Sequence, residues 1–232
     1  VSSILLKEIE NLKAGLLSLG ALVEETVHQA VKALVERDAA IADKVISNDD
    51  RIDQAEVDLE EEGLKIIALH QPVAIDLRFI VAVLRINSEL ERIGDLAVNI
   101  AERAVFIANQ RPLTFPFDFE GMAGKTKIML KKSLDALVGM NTDLAREVID
   151  ADDEVDAMNR EMYIQIQDEI RRNPDQIACL IHFLSSSRHL ERMADHTTNI
   201  AEDVIYMTEG EIVRHKPEDY RTERGCSPDS GE

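Results

Sequence analysis

Tryptophan is absent from this 232-residue chain, and tyrosine (three), phenylalanine (six), glycine (ten) and proline (six) are scarce. Sheets draw on aromatic and β-branched residues and on Gly/Pro turns, so this shortage argues against an all-β fold and for helices. Two cysteines, Cys179 and Cys226, cannot make a disulfide framework, which fits a reducing compartment. Cys179 stands among Ile177, Ala178, Leu180 and Ile181 and reads as a small buried hydrophobe, whereas Cys226 lies in a polar tail. The apolar run at residues 79–84 falls far short of the ~20 residues a membrane helix needs. With no recognisable signal peptide, the expected location is cytoplasmic. Positive charge is also short, with 26 Lys and Arg against 45 Asp and Glu, a net −19. Nucleic-acid binders carry basic patches, so nucleic acid is excluded as the expected partner. Cations or a basic protein surface suit the charge, and so does plain solvation of a helical exterior. Nor is there a Gly-rich phosphate loop, a G-x-S-x-G nucleophile turn or a Cys/His zinc pattern.

What is present is helical periodicity. Residues 4–35 carry Leu5, Ile9, Leu12, Leu16, Leu19, Val23, Val27, Val31 and Leu34 at three- and four-residue spacing, with Ser2 or Ser3 as the N-cap. A short piece over 41–46 follows. Asn48-Asp49-Asp50 then caps a second long helix to about 69. His70-Gln71-Pro72 is a turn, because proline disfavours helix in the residue before it and fits a helix start itself. A third helix runs from the mid-seventies to about 109, with Asp76 as its expected cap. Residues 110–124 hold Pro112, Pro116, Gly121, Gly124 and three phenylalanines, and read as a crossover. The plan then recurs: a helix over 125–140, a short piece to 149, a cap at 150–153, a helix to about 172, a turn at Asn173-Pro174, and a last helix from 177 to about 213. The expected organisation is a first three-helix repeat over 1–110, a connection over 111–124, a second repeat over 125–214, and a polar tail over 215–232.

Internal identity supports two repeats. LERIGDLAVNIAE at 90–102 matches LERMADHTTNIAE at 190–202 in eight of thirteen positions, one hundred residues apart. Asp50-Arg51-Ile52-Asp53 faces Asp153-Glu154-Val155-Asp156, and Pro72 faces Pro174, at nearly the same offset.

At 100° per residue, Glu91, Asp95, Asn99 and Glu102 fall within about 80° of one helix face, opposite Leu90, Ile93, Ala97, Ile100 and Ala101. Glu191, Asp195, Asn199 and Glu202 repeat the column. Like charges four apart repel by roughly 0.2–0.5 kcal/mol per pair, yet neither copy places a cation inside its column. Such a face is either a solvated acidic surface or a set of hard oxygen ligands for Mg²⁺, Ca²⁺, Mn²⁺ or iron. A ligand set needs help from a neighbouring helix, and the acidic starts of the second helices are the natural source: Asp53 with Asp49 and Glu56, and Asp156 with Asp153. His196 lies at the edge of its column. Glu25-x-x-His28 has di-iron spacing but no second copy, so it reads as amphipathic patterning.

The paired LER-x-x-D-x-x-x-NIAE motif, preceded by QPVAIDLR at 71–78, resembles the PhoU family of phosphate-transport regulators over about residues 1–212. The resemblance implies an all-α fold of two pseudo-twofold-related three-helix bundles, six helices in all, and a homodimer. It implies a non-enzymatic negative regulator of phosphate uptake and starvation signalling. Its implied partners are the phosphate ABC transporter ATPase and the phosphate-sensing histidine kinase, met on the cytoplasmic side of the inner membrane without insertion. Divalent or trivalent metal ions are implied, in multinuclear clusters in some members, with iron or zinc foremost and Mn, Mg or Ca as alternatives. Carried onto this chain, the ligands are Glu91, Asp95, Asn99 and Asp53 in one unit and Glu191, Asp195, Asn199 and Asp156 in the other. The copies differ at Gly94 versus Ala194, Leu96 versus His196 and Arg103 versus Asp203, so the two sites need not behave alike.

Overall fold

The computed structural model describes residues 3–113 and 117–210. Those residues form helices α1 (Ser3–Glu36), α2 (Ala39–Ser47), α3 (Asp50–His70), α4 (Ala74–Ala108), α5 (Phe119–Gly139), α6 (Thr142–Arg172) and α7 (Ile177–Glu209), with a 3-10 turn at Pro174–Gln176. No strand occurs among the described residues. α2 and α3 together occupy the place that α6 holds in the second unit. Each unit thus has three helical arms, and six arms make up the described fold. The polar tail over 215–232, with Cys226, lies outside the described residues, as do Pro116 and residues 211–213 at the expected end of the last helix.

Each arm hides an apolar stripe. In α1 the fully buried side chains include Leu12, Leu16, Val23, Ala30 and Leu34, whose four- and seven-residue steps follow one helix face. α1 and α3 pack on α4, as α5 and α6 pack on α7. The two units meet where α4 lies against α7 and α1 against α5. A single cluster of buried side chains therefore runs through both units. Cys179 is buried in it, as its apolar neighbours imply.

Helix ends are set by local chemistry. Arg37 ends α1 with a left-handed backbone, φ 55°. Its guanidinium donates to the Ile107 carbonyl at 2.5 Å and the Gln110 carbonyl at 2.8 Å, which ties the end of α1 to the end of α4. Asp38 caps α2 by accepting from Ala40 N and Ile41 N. Gln71, at φ 45°, closes α3 just before Pro72.

Three expected boundaries change. α5 begins at Phe119, six residues ahead of the expected Lys125, because Asp118 caps it by accepting from Gly121 N at 2.7 Å. Gly121 and Gly124 are therefore helical, and Phe119 packs edge-on to Phe117 and tilted against Phe183. The residues 150–153 do not cap a new helix: α6 runs unbroken from its Asn141 cap, so those acids lie mid-helix. Asp76 makes no cap hydrogen bond. It sits in the first turn of α4, where a negative charge favours the helix dipole.

Candidate metal centres

Two patches of carboxylates lie on the exterior, one per unit. In the first, the start of α3 meets the middle of α4, and oxygens of Asp49, Asp53 and Asp95 all lie within 4.8 Å of one another. Asp49 precedes α3 with helical dihedrals, φ −56° and ψ −47°, so Asp49, Asp53 and Glu56 project from consecutive turns toward α4. From α4 come Glu91, half-buried, and Asp95, exposed. Burial, then Asp53, Asp95 and Asp50, raises the Asp49 carboxyl above its usual range. Glu91 is raised by burial and then by Asp95, Glu56 and Asp53, with Arg92 opposing. Glu56 and Asp95 shift the same way, each through burial first and then Asp53 among its neighbours.

The second patch repeats the plan on α6 and α7. Asp152, Asp156, Glu191 and Asp195 interact, and burial followed by Asp195, Asp156, Glu191 and Asp153 pushes the Asp152 carboxyl up to about 7. Glu191 and Asp195 are raised by burial and then by their acidic neighbours. Asp156 alone of these four has a basic partner within ion-pair distance among the described residues, an exposed contact with Arg160 at 3.3 Å.

Both patches share one more feature. Asp49 Oδ1 and Asp152 Oδ1 are buried with no hydrogen-bond partner, and the two residues occupy equivalent positions, four before Asp53 and Asp156. An orphaned carboxylate oxygen facing other carboxylates is costly unless a cation completes it. A set of hard oxygen donors whose one described ion pair is the exposed Asp156–Arg160 contact fits a divalent or trivalent ion.

The predicted residues separate into two groups. Asp53, Glu91 and Asp95 converge, as do Asp156, Glu191 and Asp195. The asparagines sit one turn further on. Asn99 donates its amide to the Asp95 carbonyl at 2.8 Å, and Asn199 donates to Glu89 Oε2 at 3.0 Å. Glu102 pairs with Arg103 at 2.7 Å. Asp153 is exposed beside its patch. Glu25 accepts from Gln29, while His28 lines a separate groove between α1 and α5. Asp152 is a member that sequence reasoning misses. The match of Asp50–Asp53 with Asp153–Asp156 has an offset of 103, and extending it by one residue pairs Asp49 with Asp152.

Glu89, which sequence reasoning does not single out, joins the units. Its carboxylate accepts from Asn199 and Arg92 and pairs with His196 Nδ1 at 2.7 Å. Deeper in the same α4–α7 seam, Arg85 pairs with the buried Asp203 at 3.0 Å.

The model of the PhoU domain matches this chain twice, over residues 16–104 and 119–204. The chain belongs to the PhoU family. One matched span falls within each unit, so each acidic patch lies in one PhoU match. A PhoU homologue from Aquifex aeolicus, described as a phosphate-specific transport system accessory protein, is 39% identical over 91% of this chain and 96% of its own length. A Rhizobium meliloti protein of the same description is 35% identical over 88% of this chain and 86% of its own. The crystal structure of PhoU from Pseudomonas aeruginosa superimposes with a TM-score of 0.83 at 34% identity, covering 88% of this chain and 99% of that one. A PhoU structure from Streptococcus pneumoniae, a phosphate transport system regulatory protein, gives 0.80 at 29% identity over 90% and 99%.

Proposed function

We propose that this PhoU-family protein is an accessory regulator of a phosphate transport system that restrains uptake and starvation signalling. It acts by docking on the phosphate ABC transporter ATPase and on the associated histidine kinase, as a homodimer, on the cytoplasmic side of the membrane. The observation that carries this reading is similarity along nearly the full length to proteins described as phosphate-specific transport accessory proteins. No described helix is long and apolar enough to cross a membrane, which supports reaching the transporter through protein contacts. Docking regulates only through different affinities for two states of the partner. An accessory role also supports the non-enzymatic reading.

Each unit, in this reading, holds metal: Asp49, Asp53, Glu91 and Asp95 in the first, and Asp152, Asp156, Glu191 and Asp195 in the second. Asn99 and Asn199 border these groups. The ions supply positive charge that relieves repulsion and ties the second arm of each unit to the third. Iron or zinc leads the candidates, and Mn, Mg or Ca also suit oxygen donors. The regulatory reading is tested by affinity capture of the tagged chain from phosphate-replete and phosphate-starved cells. Co-purification of the transporter ATPase from replete cells supports it, and its absence under both conditions contradicts it.

A further inference from the structure

Beside the first acidic patch, where α4 meets α7, lies a cavity that the metal reading leaves unused. Arg92, Asp95, Leu96 and Asn99 of α4 and Arg192 and His196 of α7 line about 320 Å³ of space. Arg92 and Arg192 occupy equivalent positions in the two repeats and so converge from opposite sides of the α4–α7 seam. In a chain of net charge −19, two arginines sharing one cavity is a local concentration of positive charge.

Glu89 holds this constellation in place. It accepts from Arg92 Nη1 at 3.1 Å through one oxygen, and binds His196 Nδ1 at 2.7 Å and Asn199 at 3.0 Å through the other. Fixing His196 through Nδ1 leaves Nε2 as the ring's other polar atom. Arg92 spends one of its five donors on Glu89. Arg192 has no ion pair within 4.0 Å among the described residues, and its neighbours Glu191 and Asp195 feel its charge only through space. Planar guanidinium forks match tetrahedral oxyanions better than an ammonium does.

Asp95 is the obstacle and the clue. Its carboxylate lines this cavity and also belongs to the Asp49–Asp53–Asp95 group. An anion entering the bare protein meets that negative charge. Once a cation sits on Asp95 the sign reverses, and an oxyanion can approach both the arginines and the ion.

We propose that this cavity binds a phosphate oxyanion on Arg92 and Arg192, beside a cation held by Asp95, so that anion and cation bind cooperatively. The inference rests on the metal reading above for its cation, and it deepens that reading by naming a ligand the regulator senses. Coupling between two sites is reciprocal, so phosphate tightens metal binding by the factor by which metal tightens phosphate binding.

The test is equilibrium dialysis of radiolabelled inorganic phosphate against the full chain, after chelation and again after loading with Mn²⁺, with metal per chain measured in parallel. AMP serves as a competitor to separate free phosphate from a phosphate monoester. The expected result is phosphate binding at least about tenfold tighter in the loaded protein. Arg92→Gln and Arg192→Gln, both at exposed positions, should each weaken it about tenfold or more while leaving metal per chain unchanged. Competition by AMP assigns the site to the phosphoryl group in general, and its failure to compete assigns it to free phosphate. Normal metal loading with no phosphate retained overturns the proposal and leaves the metal reading standing. Equal phosphate affinity with and without Mn²⁺, or insensitivity to both substitutions, overturns it as well. Absence of metal loading itself contradicts the metal reading instead.

Discussion

Asp152 concentrates the physics of the second patch in one side chain. It carries an orphaned buried oxygen, and burial with four acidic neighbours holds its proton up to about 7. Asp152→Asn removes a repelled charge while keeping shape. In chelated protein it should raise Tm by about 2–4 °C, corresponding to about 1 kcal/mol in a chain of this size. In metal-loaded protein the same change should erase part of the rise that metal brings, and thermal scans with and without Mn²⁺ check both signs. Asp203 predicts a pH dependence. Burial raises it to about 7 against the Arg85 contact, so the folded chain keeps a proton that the unfolded chain releases near 4. Its stabilising contribution is complete below about 4 and is lost as pH rises through about 7. Asp203→Asn should therefore gain stability relative to wild type between pH 4 and 7, measured by urea unfolding at several pH values. Glu91, Asp95, Glu191 and Asp195 are legible in the sequence because they follow a strict helical period in two copies. Asp152 is obscured because the acidic run at 150–153 reads as a cap, and a cap faces a different way from a mid-helix residue. Glu89's role has no sequence signal, since its partners in the other unit lie 107 and 110 residues away.

At the level of elements, the first patch depends on how closely α3 approaches α4. A Cβ placed on Gly94 would stand 3.0 Å from Ile52 Cδ1 and 3.2 Å from Ile52 Cγ2, and Gly94 adjoins Asp95 as Ile52 adjoins Asp53. The second unit has Ala194 and Val155 at the matching positions, a larger residue on one helix and a smaller one on the other. Gly94→Ala alone gains helix propensity of about 1 kcal/mol but crowds a stiff β-branched residue at a cost of about 1–3 kcal/mol. It should leave stability level or lower and weaken metal binding in the first unit. Adding Ile52→Val should restore both. A double-mutant cycle on Tm and metal affinity reads this directly, and additive behaviour would show that the helices do not touch there. The helix boundaries that sequence reasoning misplaces share a cause. Gly121 and Gly124 look like loop residues, but the Asp118 cap and the packing of Phe119 outweigh their weak propensity, worth about 1 kcal/mol each. The unbroken α6 likewise follows from continuous burial of Ala145, Val148 and Val155 on one face, against which local acidic residues count for little.

Over the whole molecule, duplication is the most legible feature, because the offset of about one hundred recurs in motif, turn and cap residues alike. What duplication does not convey is how the copies face each other. The packing of α4 on α7 turns the two arginines and Glu89 into one constellation, although neither repeat contains it alone. The acids stay on the exterior while the apolar stripes of both units merge into a common core. That arrangement lets each patch gain or lose an ion without dismantling the interior. Elemental analysis of chelated protein reloaded with metal, comparing wild type with the Glu191→Ala/Asp195→Ala double variant, is the most direct measurement. Two equivalent oxygen-donor sites predict that the variant loses the second unit's share of bound metal and retains the first. Unchanged metal per chain in the variant would contradict them.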